Sequence, residues 1–152
     1  MTVRVFRQIL IVLAAIVLGA ALPWAVLPWA PPFVAAQSTL LPARGEPSAP
    51  MVILLFSDFQ CDNCATAEAT LKEVREAFPK DVQVIFKHSP LPDHPDAPLA
   101  HELAVEAARQ GKFWEMHDLL FANQAKLKRA DLDGYAQKLG LDMHAVAKAL
   151  DG

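Results

Sequence analysis

The 152-residue sequence predicts an α/β fold in which a strand–helix–strand unit is followed by an all-helical segment. Two short apolar runs, Met51–Phe56 and Val82–Lys87, have the length and composition of strands. Between them, apolar residues recur every three or four positions, which is the period of a helix. Two strands joined by one such helix run parallel in a βαβ unit. After the second strand only helical patterns follow.

Residues 1–36 have the order of a secretory signal peptide. Two arginines precede the apolar run Ile9–Leu22, and small residues offer a cleavage site before Gln37. An uncleaved membrane anchor is the alternative, because the 19 residues Ile9–Leu27 are long enough to span a bilayer. Both readings predict an exported chain, which contacts a membrane only where this segment is retained.

The charge of the remaining chain disfavours nucleic-acid binding. Without residues 1–36 it carries 12 basic and 17 acidic side chains, a formal charge of −5. No basic stretch with interleaved aromatic residues is present to follow a phosphate backbone. Residues 37–50 are rich in Pro, Ser, Ala and Gly and predict a linker. Residues 51–152 are then the folded domain.

The first apolar run and the helix after it form the predicted centre of the fold. Met51–Phe56 lacks alternation, so we expect a strand buried on both faces of a parallel sheet. The helix that follows ends at Pro79, and Glu68 and Lys72 are spaced to pair on its solvated face. Its apolar stripe consists of Cys61, Cys64, Ala67, Leu71, Val74 and Phe78.

The second half of the chain predicts a proline-rich loop over residues 88–98 and four helices. Asp96 is expected to cap a helix that ends at Gly111, and Phe113–Asn123 is expected to form the next helix. Asp131 and Asp142 are expected to cap two short final helices. The histidines and aspartates of the loop predict a solvated loop with helix caps rather than a metal cluster, and His117 a position at the surface or at the edge of a groove.

Cys61 and Cys64 are the only cysteines, and they lie three positions apart at the start of a predicted helix. Residues i and i+3 share a helix face, so the two sulfurs can close a disulfide or remain a dithiol. The helix N-terminus favours a thiolate at Cys61, and Cys64 is expected to be more buried. A structural disulfide is the alternative, but so small a loop adds little stability. A zinc site would need two further ligands, and no second pair of cysteines is present.

Three stretches resemble the DsbA-like thiol–disulfide oxidoreductases of the thioredoxin superfamily. They are Phe56-Ser-Asp-Phe-Gln-Cys61-Asp-Asn-Cys64, Phe86-Lys-His-Ser-Pro-Leu-Pro-Asp-His-Pro95, and the thirteen residues from Gly111 to Asn123. The resemblance implies a thioredoxin-like fold with an inserted helical segment and an exported enzyme that needs no metal or organic cofactor. It also implies that Cys61 is the attacking and Cys64 the resolving thiol.

The sequence departs from this family at three points. The strands and the cis-proline loop that the family carries after the inserted helices are absent here, which predicts an incomplete domain and an open edge at Met51–Phe56. A glutamate found in many relatives is replaced by Leu55, so Lys87 loses its partner and Asp58 is the candidate replacement. Asp62, next to Cys61, is expected to disfavour the thiolate and make the couple more reducing.

The resulting prediction is an exported, periplasmic oxidoreductase that exchanges disulfides with protein substrates through Cys61 and Cys64. Its partners would be protein thiols or disulfides and a membrane-bound or soluble redox protein. Asp58, Phe59, Asp62 and Lys87 are the candidate supporting residues, with Phe59 considered for contact with a substrate peptide. The alternative is a catalytically inert thioredoxin-like fragment or binding module that lacks the cis-proline half.

Overall fold

A computed structural model of the chain describes residues 41–152. The predicted signal peptide or anchor lies outside the described residues, as do the first four residues of the predicted linker. Between residues 41 and 152 no helix combines the length and the apolar character that crossing a membrane requires.

The described residues form a three-stranded sheet and five helices. The strands are β1 (Ala43–Gly45), β2 (Met51–Ser57) and β3 (Val82–His88), in the sheet order β1-β3-β2. β2 and β3 pair in parallel with Met51 opposite Val82, whereas β1 pairs antiparallel with β3. The helices are α1 (Asp62–Ala77), α2 (Ala97–Arg109), α3 (Phe113–Phe121), α4 (Arg129–Lys138) and α5 (Met143–Asp151). The βαβ unit and the all-helical segment are therefore confirmed.

The central, buried strand is β3 rather than β2, which corrects the prediction for Met51–Phe56. The first five residues of β3 are all buried, although Gln83 is polar. Within the described residues β2 pairs only with β3, so one edge is free. Side chains of a strand alternate between faces, and Leu54 and Phe56 on one face of β2 are 54% and 65% exposed. Leu55, on the opposite face, packs against the core.

Part of the predicted linker is a strand. Arg44 of β1 hydrogen-bonds Asp118 of α3 through both terminal nitrogens, at 3.0 and 2.9 Å, and its guanidinium lies 4.3 Å from the centroid of the Trp114 ring. The Trp114 indole N–H in turn donates to the carbonyl of Ala43 at 2.9 Å. These contacts hold a three-residue strand against the sheet although its own sequence has no strand pattern.

The helix caps are partly as predicted. The Asp142 carboxylate accepts hydrogen bonds from the N–H groups of His144 and Ala145 at the start of α5, which confirms that cap. Asp96 stands at the N-cap position of α2, but its side chain makes no capping hydrogen bond. Asp131 is not a cap: α4 begins at Arg129 after Lys128, which places Asp131 inside the first turn.

One hydrophobic core joins the sheet to the helical segment. Phe59, in the turn after β2, is fully buried and stacks on Phe86 of β3 with ring centroids 5.3 Å apart. Leu103 of α2 and Met116 of α3 are also fully buried in this cluster. The core therefore fixes the turn that leads directly into the two cysteines.

Candidate redox site

Cys61 and Cys64 lie at the N-terminus of α1, as the sequence predicts. Cys61 is the N-cap residue, with extended backbone angles (φ −89°, ψ 119°), and its carbonyl accepts the first helical hydrogen bond from Ala65. Cys64 falls in the first turn. Both side chains are free thiols, and both residues are half-buried. The unpaired N–H groups of the first turn favour negative charge next to both sulfurs.

Cys64 has an electrostatic environment of its own. Burial raises the pKa of the Cys64 thiol, and the neighbouring Cys61 thiol raises it further. The backbone N–H of Asp58 and the hydroxyl of Ser57 act in the opposite direction. The Ser57 hydroxyl is buried and has no other hydrogen-bond partner in the described part of the chain. The pKa of the Cys64 thiol is thus above its usual value, with two donors placed to stabilise its thiolate.

Asp58 organises the turn from a buried position, with a side chain only 1% exposed. Its carboxylate accepts hydrogen bonds from the N–H groups of Gln60 at 2.7 Å and Leu91 at 2.6 Å. A third contact joins it to Nδ1 of His94 at 2.9 Å. Burial works against ionisation, but these hydrogen bonds outweigh it and hold the pKa of Asp58 below its usual value. Asp58 is therefore a buried carboxylate that ties the cysteine turn to the loop after β3.

Two further histidines complete a cluster around Asp58. Nδ1 of His88 and Nδ1 of His101 are 2.7 Å apart, and Nε2 of His101 lies 4.0 Å from the Asp58 carboxylate. Burial lowers the pKa of His101 to about 4, an effect that His88 reinforces and Asp58 opposes. Burial likewise lowers the pKa of His88. Of the histidines predicted for a solvated loop with caps, His94 and His101 therefore lie beside Asp58, and His88 contacts His101. Between residues 41 and 152 no group of three side chains has the arrangement of a metal site.

The other candidate supporting residues have different positions from those expected. Phe59 is fully buried in the core, so it supports the turn from below and does not contact a peptide. Lys87 lies beside Phe56 in the sheet register. The hydrogen bonds of Asp58 go to the loop and to His94, not to Lys87, so Asp58 does not replace the missing acid as its partner. Asp62 is exposed in the first turn of α1, where the sequence places it.

His117 and Glu68 form a buried contact between α3 and the cysteine helix. The side chain of His117 is 4% exposed, with Nε2 at 3.0 Å from Glu68 and Nδ1 at 2.8 Å from Asp118. Burial works against protonation, but the two carboxylates outweigh it and raise the pKa of His117. The prediction of a surface or groove-edge position for His117 is wrong, and so is the Glu68–Lys72 pair, because Glu68 turns inward. A cleft of about 770 Å³ runs beside this contact.

Sequence reasoning missed Gln124, which contacts the cysteine turn from the helical segment. Its side-chain amide nitrogen donates to the carbonyl of Phe59 at 2.9 Å and to the carbonyl of Cys61 at 3.0 Å. More than sixty residues separate the amide from these carbonyls along the chain. No local pattern marks Gln124, because its role arises only when the helical segment packs on the turn.

A parallel βαβ unit with an inserted helical segment and two cysteines at the N-terminus of its helix define a thioredoxin-like α/β domain. The profile that defines a thioredoxin family matches residues 39–152. The chain therefore belongs to the thioredoxin family, which confirms the resemblance to the thioredoxin superfamily. The match also begins before β1, in agreement with the structured end of the predicted linker.

Solved structures share this fold. A thioredoxin-like oxidoreductase from Silicibacter pomeroyi superposes with a TM-score of 0.65 at 23% identity, over 74% of this chain and 64% of that chain. A periplasmic thioredoxin-like protein from Salmonella enterica serovar Typhimurium gives a TM-score of 0.59 at 21% identity, over 73% of this chain and 68% of that chain. At these identities the likeness establishes the fold.

A curated relative is much longer than this chain. The Na(+)/H(+) antiporter NhaA 1 of Salinispora arenicola is 45% identical over 101 residues. Those residues are 66% of this chain but 15% of that protein. The chain thus spans less than a sixth of that relative, and the antiporter name describes the larger protein.

Proposed function

We propose that the chain is an exported thiol–disulfide oxidoreductase that exchanges disulfides with proteins through Cys61 and Cys64. The observation that carries the proposal is the pair of free thiols at the N-terminus of α1, with Cys61 as the N-cap residue. A helix N-terminus stabilises the thiolate that exchange requires. The family and the fold are in agreement with this chemistry.

The proposed reaction consists of two exchanges. The Cys61 thiolate attacks one sulfur of a substrate disulfide; a Cys61–substrate disulfide forms, the substrate disulfide breaks, and one substrate thiolate leaves. Cys64 loses its proton to solvent and attacks the Cys61 sulfur, which closes the Cys61–Cys64 disulfide and releases the second substrate thiolate. Two electrons pass from the chain to the substrate. The reverse sequence oxidises a substrate dithiol.

The environment of Cys64 supports its assignment as the resolving thiol. Burial keeps the Cys64 thiol protonated in the resting state, whereas the N–H of Asp58 and the hydroxyl of Ser57 lie ready for the thiolate. Asp62 adds a negative charge next to Cys61 in the first turn. This charge opposes the helix dipole, so we propose a couple more reducing than that of strongly oxidising relatives.

We further propose that the chain works outside the cytosol, on protein thiols or disulfides and with a membrane-bound or soluble redox partner. The sequence of residues 1–36 supports export, and a periplasmic protein is among those that share the fold. A compartment without a reducing glutathione pool allows the Cys61–Cys64 disulfide to persist between turnovers.

An inert thioredoxin-like fragment or binding module is the second candidate, and the free edge of β2 favours it, because exposed strand edges pair with other chains. Reduction of insulin by dithiothreitol separates the two candidates. The full chain in mild detergent is expected to accelerate the reaction, and its Cys61→Ser variant is expected to give the rate of dithiothreitol alone. Equal background rates for both proteins would support the inert fragment.

A further inference from the structure

The connection between α3 and α4 reaches back to the N-terminus of the cysteine helix through one side chain. Gln124 lies in this connection, residues 122–128, and donates from its amide nitrogen to the carbonyls of Phe59 and Cys61. Both acceptors are carbonyl oxygens, and of the two ends of the Gln124 amide only the NH2 group can donate to them. The amide orientation therefore follows from the chemistry of its partners.

The connection itself is held in place, so Gln124 has a fixed base. Leu127 is almost fully buried in the core. The N–H of Lys126 donates to the carbonyl of Asn123 at 2.8 Å, and the Tyr135 hydroxyl of α4 donates to the carbonyl of Lys126 at 2.9 Å. These contacts fix the backbone from which the Gln124 side chain extends toward the cysteine turn.

The turn that Gln124 contacts is also held from two other directions. Phe59 is anchored in the core by its ring, and the Asp58 carboxylate accepts the N–H of Gln60. These contacts leave the carbonyls of Phe59 and Cys61 facing the helical segment. The Cys61 carbonyl accepts from Ala65 inside α1 and from Gln124 outside it. From outside the helix, the N–H of Cys61 donates to the carbonyl of Asp58 at 3.2 Å, and Gln124 adds the contact to the Cys61 carbonyl.

We infer that Gln124 is the positioning residue for Cys61, holding it in the N-cap geometry that makes its thiol reactive. The inference rests on the proposed function for its biological role, but it concerns the reactivity of the Cys61 thiol, which can be measured separately. Without the two hydrogen bonds from Gln124, only the bonds to Ala65 and Asp58 hold the Cys61 backbone, so its sulfur is held less firmly beside the N–H groups of the first turn. Gln124 also couples the helical segment to the cysteine turn, because displacement of the α3–α4 connection would change the reactivity of Cys61.

The test measures alkylation of Cys61 by iodoacetamide in the full chain, in a Cys64→Ser background that leaves one thiol. Gln124→Met keeps the length of the side chain and removes both hydrogen bonds. We expect its alkylation rate at neutral pH to fall about fivefold or more, because two hydrogen bonds are lost, and the pH midpoint of the reaction to rise. A purely structural role would lower the urea midpoint without moving this pH profile.

Two further variants make the test specific. Gln124→Glu presents an ionised acceptor to two carbonyls, so its rate should fall further at neutral pH. Below pH 5 the protonated acid regains a donor, and its rate relative to the parent chain at the same pH should recover. The matched control is Asn123→Leu, because Asn123 lies in the same connection but its amide donates to the carbonyl of Leu119 in α3 and not to the cysteine turn. This control should alkylate at the parent rate.

Each outcome bears on the inference. Parental rates and pH profile in Gln124→Met would overturn it, as would an equal loss in Asn123→Leu. If Gln124→Met does not fold, the Gln124→Glu variant decides the question. An alkylation rate, relative to the parent chain at the same pH, that does not recover below pH 5 would overturn the inference. If the alkylation rate of Cys61 depends on Gln124 but the chain is inactive in the insulin assay, the positioning role stands and the proposed function is refuted.

Discussion

Acidification should destabilise the fold through His101, because this imidazole is buried in its neutral form. Its pKa is lowered from 6.5 to about 4. A histidine with a lowered pKa binds a proton more readily in the unfolded chain, so its contribution to stability is complete above pH 6.5 and declines as pH falls toward 4. Integrating this difference from pH 7.5 to pH 5 gives a loss of about 2 kcal/mol in the free energy of unfolding.

The assay is urea denaturation of the full chain at pH 7.5 and pH 5, compared with that of the His101→Gln variant. The variant is expected to lose about 2 kcal/mol less than the parent over this interval, whatever its absolute stability. His117 acts with the opposite sign: its pKa is raised, so its contribution is complete below pH 6.5 and declines as pH rises. His117 is present in both proteins, so its contribution cancels when their losses of unfolding free energy between pH 7.5 and pH 5 are compared.

A matched control is His144→Gln, which changes an exposed histidine near the start of α5. It should keep the parental difference between the two pH values. If His101→Gln also keeps the parental difference, His101 does not carry the acid sensitivity, and the description of the cluster around Asp58 is refuted.

Three further substitutions test the turn that holds the cysteines. Asp58→Asn should lower the free energy of unfolding in urea by about 2–3 kcal/mol, because it removes a charged acceptor from two backbone N–H groups and His94; an unchanged urea midpoint would contradict this. Phe59→Ala should cost about 3–5 kcal/mol as a cavity in the core, and a loss below 1 kcal/mol would place the ring outside it. Asp62→Asn should speed alkylation of Cys61 about twofold to fivefold by removing an opposing charge, and a slower reaction would refute the proposed effect.

The local part of the fold follows from the sequence. Met51–Phe56, the helical stripe and Val82–Lys87 place the βαβ unit, and they place both cysteines at the start of its helix. The relative burial of the two strands does not follow in this way. β2 has the longer apolar run, but β3 is central because β1 pairs with its other edge. Burial depends on neighbours in the sheet, which a single run of residues does not specify.

The interactions around the site depend on contacts between distant parts of the chain. Asp58 is part of a recognisable motif, but its partners Leu91 and His94 lie more than thirty residues away. Glu68 has a good local partner in Lys72, yet it contacts the buried His117, forty-nine residues further on. The i,i+4 spacing rule considers only neighbours on the same helix, so it predicts a solvated position for Glu68.

The most direct test of the proposed exchange reaction is the capture of its intermediate. A Cys64→Ser chain cannot resolve a mixed disulfide, so after incubation with a disulfide-containing protein it should retain that protein through Cys61, as a reducible adduct seen by mass spectrometry. The Cys61→Ser chain is the control and should form far less adduct. Comparable adduct in both variants, or none in either under conditions where each is folded, would contradict the central claim that Cys61 attacks and Cys64 resolves.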